Sequence, residues 1–377
     1  MKVSIDTRTL KPGDSYIPIK GQNFDGHNFI EEALKKGAAE ILDVDIVDYA
    51  RSYRKQFDIP IIAITGSSGK TTTKDMLHSV LSTKYNVIKT KENQNNELGV
   101  PLTLLGIEAN TEIAIVEMGM RGLGEIKFLS SIALPSHAII SNIGYTHLEL
   151  LGSRRNIARA KSEIFSSFKD TPAKRFAFYP KRTPCISSVR RLAVKNKFDI
   201  TEIDNSNITQ SNQALITSVA LHFGLTPQEI EQGLKNYKPS ANRQEIITIK
   251  DTTLVNDAYN ANPDSMIFAL QVFSRYQGRK IAILGDMLEL GEKSVYFHIL
   301  LEKHIKNAGI ELLFTLGELS KNINPKGIKT THCNSIEKLV TGVINSLLPG
   351  DNILFKASRG IKLEGPFKLI KAFLETK

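Results

Sequence analysis

The strongest chemical signal in the sequence is the run Gly66-Ser67-Ser68-Gly69-Lys70-Thr71, which directly follows an apolar segment. Glycine and serine let backbone N–H groups face an anion, and a helix that begins there points its positive end at that anion. Lys70 adds a positive charge, and the Thr71 hydroxyl suits Mg²⁺. The common phosphate-binding loop has a glycine where this chain has Ile64, so the loop is a variant. We expect it to bind a nucleoside triphosphate; the alternative is an ordinary Gly/Ser turn.

An acidic residue and a histidine lie where they could complete a magnesium site. Glu117 follows the apolar run IAIV, and His147 follows the next apolar run, IISNIG, with Glu149 two residues later. If both runs are strands of a parallel sheet, these side chains lie at its carboxyl edge, where such sheets bind ligands. Together with a threonine hydroxyl and a triphosphate they could coordinate Mg²⁺. Taken alone, a histidine such as His147 is more often a surface or core residue.

The segments around these residues predict two α/β domains and a smaller domain before them. A strand at 61–65, a turn and a helix from about Thr71 are followed by strands at 112–119 and 137–144 and a helix at 155–165. This alternation predicts a doubly wound parallel sheet over 57–238. A second alternation predicts a Rossmann-like domain over 239–377. Its predicted strands are 253–259, 279–286, 312–317 and 352–358, and its predicted helices are 263–275, 294–308 and 335–346.

Composition excludes several classes of protein. The 377 residues are 41% apolar and 23% charged, which is too apolar for a disordered chain. No stretch approaches the roughly 18 uninterrupted apolar residues of a membrane helix. The chain has two cysteines and no apolar segment at its start, so we expect neither a disulfide framework nor a secretory signal. These features predict a cytoplasmic protein without membrane insertion, and we expect a monomer.

The formal charge of +10 is concentrated in one segment. Residues 169–197 contain nine lysines and arginines and one acid, Asp170. Such a segment could attract nucleic acid or an anionic membrane, or be a solvated surface. We do not expect nucleic acid, because the segment lacks interleaved aromatic residues and a known motif. Within it, Asn196-Lys197-Phe198-Asp199 has the form of a guanine-reading tetrapeptide, which we discount because it follows no clear strand.

A set of longer motifs carries a resemblance over nearly the whole chain. In order, they are SIDTRTLKPGD, KGQNFDGHNF, ITGSSGKTTTKDML, NQNNELGVPLTLL, VEMGM, NIGYTHLELLGSRRNIARAKSEIF, VNDAYNANPDSM, ILGDMLELGE and KASRGIKLEG. With these motifs the sequence resembles the Mur ligase family. The resemblance implies a three-domain α/β fold with a small N-terminal UDP-substrate domain at 1–56, a central parallel-sheet P-loop ATPase domain at 57–238 and a Rossmann-like C-terminal ligase domain at 239–377.

The resemblance also implies an activity. ATP would phosphorylate the terminal carboxylate of a UDP-linked muramoyl peptide, and the amine of D-Ala-D-Ala would attack the acyl phosphate. The products would be an amide, ADP and phosphate, as in peptidoglycan precursor synthesis. Activation is needed because a carboxylate is a poor electrophile.

Site residues follow from the matched motifs. Catalytic roles are implied for Lys70, Lys161, His147 and Arg243, and the implied Mg²⁺ ligands are Thr71, Glu117, His147 and a carbamylated Lys161. ATP contacts are implied for Gly66, Ser67, Ser68, Gly69, Lys70, Thr71, Thr72, Asn212, Arg243, Asp257, Asn260 and Asn262. Substrate contacts are implied for Asp6, Thr7, Arg8, Lys20, His27, Asn95, Asn96, Ser358 and Arg359, with Lys356 in the same motif as the last two. On spacing alone, Lys161 would be an exposed lysine on an amphipathic helix.

Two departures from the family pattern affect these expectations. The chain begins late, so we expect the first domain to lack its opening strand. In the central domain, FAFYPKRTP at 176–184 stands where the family has a strand that ends in a polar and acidic tetrad, so Pro180-Lys181-Arg182-Thr183 replaces that tetrad. Ile208-Thr209 replaces a His-Asn pair before Asn212. Because this wall receives the adenosine end of ATP, we expect altered nucleotide affinity with the chemistry retained.

Three alternatives stay open at this stage. A ligase of the same chemistry could join other substrates, a degenerate relative could bind a nucleotide without turnover, or a nucleic-acid-binding ATPase could use the basic segment. The joint presence of Lys70, Thr71, Glu117, His147, Lys161 and Arg243 favours an enzyme, because drift has no reason to spare a metal and phosphate site selectively.

Overall fold

The computed structural model describes residues 2–167, 174–205 and 211–376. Within these residues the chain forms two compact units. The first comprises residues 2–142, 158–167, 174–205 and 211–237, and the second comprises 143–157 and 238–376. In the described part of the chain, no helix has the length and apolar character needed to cross a membrane.

The chain opens with a small α/β element. Strands β1 (Val3–Ser4), β2 (Ser15–Tyr16) and β3 (Glu40–Ile41) pair in parallel in that order. Helix α1 (Ile30–Lys35) precedes β3, and α2 (Ile46–Arg54) follows it. Asp45 begins α2 by accepting hydrogen bonds from the backbone N–H groups of Val47 and Asp48. The predicted small N-terminal α/β domain is confirmed.

The end of α2 is fixed to the rest of the first unit by two side chains. Arg54 is 2% exposed and donates hydrogen bonds to the carbonyl oxygens of Phe57 (2.6 Å) and Ala133 (3.0 Å). Tyr53 donates its hydroxyl to the carbonyl of Ile107 at 2.7 Å. Burial lowers the pKa of Arg54, because the charged guanidinium loses its hydration. The hydrogen bonds to carbonyl oxygens recover only part of the free energy of that hydration.

The larger sheet of the first unit is entirely parallel among the residues described. Its strands are β4 (Ile61–Thr65), β5 (Val87–Lys89), β6 (Ile113–Glu117), β7 (His137–Ile140), β8 (Arg175–Pro180) and β9 (Phe198–Ile203), in the order β5-β6-β4-β7-β8-β9. The chain runs from β4 to one side and then to the other, so β4 lies at the switch point where such sheets bind ligands. The predicted doubly wound parallel sheet is confirmed.

Helices cover both faces of this sheet. In the first unit they are α3 (Lys70–Leu81), α4 (Gly99–Leu105), α5 (Glu125–Ala133), α8 (Ile186–Lys195), α9 (Ser211–His222) and α10 (Pro227–Asn236). Helix α6 (Leu148–Leu151) and the first residues of α7 (Arg154–Ser162) belong to the second unit. Buried isoleucine side chains of β4 and β6 pack against α3 and α9 in one apolar core. This packing fixes the first turn of α3 against the end of β4.

The basic segment adopts a regular structure that was not predicted. A strand at 176–184 was expected and β8 confirms it, but α8 and β9 were not foreseen; together they continue the parallel sheet. Asp199 is the second residue of β9, at the amino edge of the sheet and away from the edge that carries residues 66–69, which agrees with discounting the guanine-reading tetrapeptide. Lys169, Asp170, Ile208 and Thr209 lie outside the described residues.

The second unit contains a sheet of the order β10-β11-β15-β12-β13-β14 among the residues described. Its strands are β10 (Glu245–Ile249), β11 (Thr252–Asn256), β12 (Lys280–Gly285), β13 (Leu312–Leu316), β14 (Lys329–Cys333) and β15 (Asn352–Lys356), with helices α11 (Pro263–Phe273), α12 (Ser294–Asn307), α13 (Ile336–Ile344) and α14 (Glu364–Thr376). Only β10 is antiparallel, at one edge. All predicted strands and helices of this domain are present; β10, β14 and α14 were missed.

Candidate nucleotide and metal site

The turn after β4 has the geometry of a phosphate-binding loop. Gly69 has φ +77° and immediately precedes α3, a conformation that favours glycine. A Cβ at Gly66 would collide with the Ser141 hydroxyl, so only glycine fits there too. The N–H groups at the start of α3 therefore point towards an open turn, which is the ordinary binding site for a phosphate.

Two residues after β7, which sequence analysis did not assign, hold this loop in place. Asn142 accepts hydrogen bonds from the backbone N–H groups of Ser67 (to its carbonyl, 3.1 Å) and Ser68 (to Oδ1, 2.8 Å), and its Nδ2 donates to Ser68 Oγ at 2.6 Å. Ser141 donates its hydroxyl to the carbonyl of Ser68 at 2.6 Å. The motif NIGYTH contained Asn142, but only the register of β7 beside β4 brings it to the loop.

The predicted phosphate residues lie together on this loop. Lys70 is the first residue of α3, and its ammonium donates to the carbonyl of Gly66 at 2.9 Å. Thr72 lies in the same first turn and is half-buried. The amide of Asn212, near the start of α9, lies 3.6 Å from the position that a Cβ on Gly69 would occupy. The structure thus places Asn212 beside the loop, and its contact with the adenosine end of ATP stays a prediction.

Glu117 and Thr71 form the centre of a candidate cation site. Glu117 ends β6 and is 1% exposed, and its Oε1 accepts hydrogen bonds from Thr71 Oγ1 (3.2 Å) and Asn95 Nδ2 (2.8 Å). Its second oxygen, Oε2, is buried and makes no hydrogen bond. Lys74 Nζ lies 3.5 Å from Oε2 and offsets its charge, but the oxygen still lacks the hydrogen bond that a buried polar atom normally has. A hydroxyl and a carboxylate are the ligand types that Mg²⁺ prefers, so the residues present fit the ion.

Asn95 and Asn96 differ in their contacts. Asn95 is used in orienting Glu117, whereas Asn96 accepts a hydrogen bond from the backbone N–H of Gly99 at 3.1 Å, at the start of α4. Asn95 therefore contacts Glu117 directly, but contact with an amino substrate stays a prediction for both asparagines.

Lys161 lies in α7 and is 2% exposed. Burial, and secondarily the charge of Lys70, holds the pKa of its amine well below the usual value. The expectation from spacing alone, an exposed lysine on a helix, is wrong. A lowered pKa increases the fraction of the amine that is uncharged at a given pH, and the uncharged amine is the form that reacts with CO₂.

His147 belongs to the second unit. It has φ +51° immediately before α6, and its Nδ1 lies 2.6 Å from Glu289 Oε2. This contact is within ion-pair distance but lacks hydrogen-bond geometry. Its role as a Mg²⁺ ligand stays a prediction.

The second unit assembles a cluster of the predicted nucleotide residues around a tyrosine that was not predicted. The guanidinium carbons of Arg243 and Arg359 lie 3.7 Å and 5.0 Å from the ring centre of Tyr259. Buried Lys356 lies 2.6 Å from Asp257 Oδ2 and donates to the carbonyl of Asn260 at 3.1 Å. Cation–π contacts hold Arg243 and Arg359 beside the ring of Tyr259. The ion pair joins Lys356, at the end of β15, to Asp257, which directly follows β11.

The remaining predicted residues of this cluster have structural contacts. Asn262 accepts a hydrogen bond from the backbone N–H of Ser265 at 2.9 Å and so caps α11, which leaves its Nδ2 for a nucleotide contact. Ser358 donates to the carbonyl of Ala261 and accepts from the backbone N–H of Leu288. Both residues shape the loop between β11 and α11.

The predicted substrate residues of the N-terminal element form two exposed polar groups. Asp6 accepts a bidentate pair of hydrogen bonds from Arg8, and neighbouring Thr7 is buried. His27 lies between two carboxylates, with Nδ1 2.6 Å from Asp25 and Nε2 3.2 Å from Asp43. Hydrogen bonds to Asp25 and then Asp43 raise the pKa of His27. Lys20 lies 3.8 Å from Asp25.

Comparison with known proteins agrees with this architecture. Three family models match: "Mur ligase family, catalytic domain" at residues 2–52, "Mur ligase middle domain" at 64–230 and "Mur ligase, glutamate ligase domain" at 242–359. The UDP-N-acetylmuramoyl-tripeptide–D-alanyl-D-alanine ligase of Bacillus subtilis is 36% identical, over 99% of this chain and 93% of its own length. That of Synechocystis is 33% identical over 96% of this chain and 90% of its own length. The chain belongs to the Mur ligase family.

Solved structures give the same result. MurF from Acinetobacter baumannii has a TM-score of 0.88 at 27% identity and covers 100% of this chain and 93% of its own. MurF ligase from Thermotoga maritima, solved in complex with ADP, has a TM-score of 0.86 at 27% identity and covers 100% of this chain and 98% of its own. The three-domain fold is therefore confirmed. The alignment with the Bacillus relative runs over 430 positions, more than the 377 residues of this chain, because the relative carries residues without a counterpart here.

Proposed function

We propose that this protein is an ATP-dependent ligase that adds D-Ala-D-Ala to a UDP-N-acetylmuramoyl tripeptide. The observation that carries the proposal is the grouping of a phosphate-binding loop, a buried carboxylate with an unbonded oxygen and a buried lysine of lowered pKa in one unit. The alignments with the Bacillus and Synechocystis ligases extend over 93% and 90% of the length of those relatives.

The reaction needs two bond exchanges, the first at the γ-phosphorus of ATP and the second at the carbonyl carbon of the tripeptide. A carboxylate oxygen of the tripeptide attacks the γ-phosphorus of ATP, which releases ADP and forms an acyl phosphate. The amine of D-Ala-D-Ala then attacks the acyl carbon, phosphate leaves, and the nitrogen loses a proton to give the amide. The first exchange brings two anions together, so fixed positive charge at the phosphates is the principal requirement.

The phosphate-binding loop supplies that charge. We assign the β- and γ-phosphates to the loop from Gly66 to Thr72, through the backbone N–H groups of Gly69 to Thr72 and the ammonium of Lys70, which donates to the Gly66 carbonyl. The N–H groups of Ser67 and Ser68 already donate to Asn142. Asn142 and Ser141 keep the loop in shape before ATP arrives, so little ordering is needed on binding. Asn212 is assigned to the adenosine side.

Mg²⁺ would be held by Thr71 and Glu117, with Lys161 as a further ligand in carbamylated form. When bound, the ion offsets negative charge on the transferring phosphoryl group. Carbamylation converts Lys161 from a potential cation into an anionic oxygen donor: the uncharged amine attacks CO₂, and one proton is released. The lowered pKa of the Lys161 amine supports this modification, because it provides the nucleophilic form near neutral pH. His147 is proposed as a ligand from the family motif alone.

Residues of the other regions are assigned by the same motifs. Arg243 is proposed for the γ-phosphate, Asp257, Asn260 and Asn262 for the nucleotide, and Ser358 and Arg359 for substrate. The UDP-sugar is assigned to Asp6, Thr7, Arg8, Lys20 and His27, and D-Ala-D-Ala to Asn95 and Asn96. We also propose the domain limits 1–56, 57–238 and 239–377, a monomer, and a cytoplasmic location.

Phosphate release tests the proposed function. With ATP and Mg²⁺, we expect release that depends on both UDP-N-acetylmuramoyl tripeptide and D-Ala-D-Ala, and formation of the UDP-linked pentapeptide by mass spectrometry. Release that requires a different amine would replace the proposed substrate and keep the ligase chemistry. ATP binding without release under any amine would contradict the proposal of an enzyme.

A further inference from the structure

Lys74 is a buried lysine beside Glu117 to which the ligase reaction gives no role. Its side chain is 1% exposed, as is that of Glu117. It lies three residues after Thr71 on α3, so both side chains face the end of β6 from the same side of the helix. Burial of an ammonium is costly, and it persists only where nearby negative charge or acceptors offset it.

Lys74 makes its ion pair and its hydrogen bond with two different residues. Its Nζ lies 3.5 Å from Glu117 Oε2, within ion-pair distance, but Oε2 makes no hydrogen bond. The hydrogen bond goes instead to the carbonyl of Glu92, at 2.7 Å. Lys74 therefore offsets the charge of the buried carboxylate while leaving the lone pairs of Oε2 to another ligand.

The Glu92 contact links Lys74 to the loop that orients the same carboxylate. Glu92 has φ +43°, a left-handed conformation that a non-glycine residue adopts at some cost. Three residues later, Asn95 donates to Glu117 Oε1 at 2.8 Å. One ammonium thus acts on both oxygens of Glu117, directly on Oε2 and through the loop on Oε1.

An outer pair of charges extends the arrangement. Asp75 Oδ1 lies 3.6 Å from Lys74 Nζ and 2.8 Å from Lys89 Nζ. Charges of alternating sign then run from half-buried Lys89 through Asp75 and Lys74 to Glu117. Lys89 touches Asp75 alone among these acids, which makes it a matched control of the same residue type.

We propose that Lys74 is a positioning residue for the metal carboxylate: it holds buried Glu117 with Oε2 directed to Mg²⁺ and fixes the Asn95 loop. This inference rests on the proposed metal site and adds a residue that acts through Glu117. Because partners behind metal ligands typically change metal affinity by about 10–100-fold, the effect is measurable.

Direct metal binding is the first test. Mn²⁺ binding in the presence of ADP, followed by electron paramagnetic resonance, is compared for the unmodified protein, Lys74→Met and Lys89→Met. We expect Lys74→Met to weaken Mn²⁺ binding about tenfold and Lys89→Met to change it less than about twofold. In turnover, Lys74→Met should raise the Mg²⁺ concentration for half-maximal rate more than it lowers kcat. Equal Mn²⁺ affinity for Lys74→Met and the unmodified protein would overturn the proposal.

A stability cycle tests the same inference without metal. Lys74→Met leaves Glu117 buried without its counter-charge, so its melting temperature should fall, and adding Glu117→Gln should recover most of that fall. If Lys74 only filled space, Lys74→Met would lower the melting temperature equally with and without Glu117→Gln, which would contradict the proposal. The unmodified protein could also fail to bind Mn²⁺ while Glu117→Gln still recovers the fall in melting temperature caused by Lys74→Met. That result would refute the metal site, and with it the role of Lys74 in directing Glu117 to Mg²⁺, but not the Lys74–Glu117 ion pair itself.

Discussion

The two edges of the central sheet both bury titratable side chains but treat them differently. At the carboxyl edge, Glu117 keeps an oxygen without a hydrogen bond, and Lys161 is buried near another cation, Lys70. At the amino edge, buried His137 begins β7, with Nδ1 2.9 Å from Ser136 Oγ and Nε2 3.1 Å from His222 Nε2. The rings of Phe176 and Phe223 lie 5.1 Å and 4.8 Å from that of His137.

The difference shows that burial alone does not identify a functional residue. Both nitrogens of His137 have partners, and burial lowers its pKa to about 3, so it is a neutral part of the core. The carboxyl edge instead keeps an oxygen of Glu117 that makes no hydrogen bond and is therefore open to a ligand. Substitutions at the carboxyl edge should therefore lower turnover, whereas substitutions at the amino edge should change only the pH dependence of stability.

Lys70→Ala should give the largest loss of turnover. Removing the ammonium leaves the phosphates without their principal fixed charge, and we expect kcat/KM to fall by about 10³-fold. The measurement is phosphate release with both substrates. Lys55→Ala, on the exposed end of α2, is the control and should retain full rate. A fall in kcat/KM of less than about tenfold would contradict the proposed role of this loop in binding the phosphates.

Lys161→Met should have the next largest effect. Loss of the carbamate should lower kcat about 10²-fold, whereas exposed Lys127→Met should have none. Removal of CO₂ should lower the rate of the unmodified protein, bicarbonate should restore it, and ¹³C-bicarbonate should give a carbamate signal that Lys161→Met lacks. A bicarbonate-independent rate would contradict carbamylation.

The pH dependence of the stability of Lys161→Met tests the lowered pKa of the Lys161 amine. In the unmodified, CO₂-free protein the lowered pKa means that the amine loses its proton at a lower pH when folded than when unfolded. Between the two pKa values the unfolded state binds more protons, so stability rises with pH up to the usual lysine pKa. Lys161→Met should reduce that slope and be more stable near pH 7. A slope unchanged by the substitution would contradict the lowered pKa.

Asn142→Ala should have a smaller effect that is confined to ATP binding. It removes side-chain contacts with Ser68 but no group that touches the metal, so we expect KM for ATP to rise about tenfold and kcat at saturating ATP to change little. Exposed Asn236→Ala is the control. A fall in kcat with unchanged KM would show that Asn142 does more than hold the loop.

His137→Gln should leave turnover unchanged at pH 7.5 and alter stability at low pH. With a pKa lowered from 6.5 to about 3, His137 is protonated only in the unfolded state at pH 5, so the native state loses stability as pH falls below about 6.5. This loss is about 2 kcal/mol at pH 5, and His137→Gln should lack it in urea unfolding. Reduced turnover at pH 7.5 would break the distinction between the two edges.

Site residues could be predicted from the sequence where the motif that identifies them lies in a few consecutive residues. The phosphate-binding loop lies in six consecutive residues and was found, and Glu117 was found because it ends an apolar run. Lys74, Asn142 and Tyr259 were missed because they act on residues far away in sequence. Their roles require the register of β4 with β6 and β7, or of β11 with β15, which periodicity does not give.

Misses in the fold have a similar physical cause. β14 and β10 are edge strands with exposed alternate residues, so they lack the buried apolar run that identified the central strands. The charges of α8 drew attention to a surface property, although Val189 and Ala193 form a buried helical face. Lys161 shows the converse, since its burial arises from tertiary packing that helical spacing does not reveal.

Arg54 has a consequence for dissecting the protein into fragments. Its hydrogen bonds with Phe57 and Ala133 cross the limit proposed between the first and central domains, and Ala133 ends α5. A fragment that starts after Arg54 would expose the carboxyl end of α5 and an apolar surface that α2 now covers. The first 56 residues and the central sheet should therefore be expressed as one piece and be removed by proteases together.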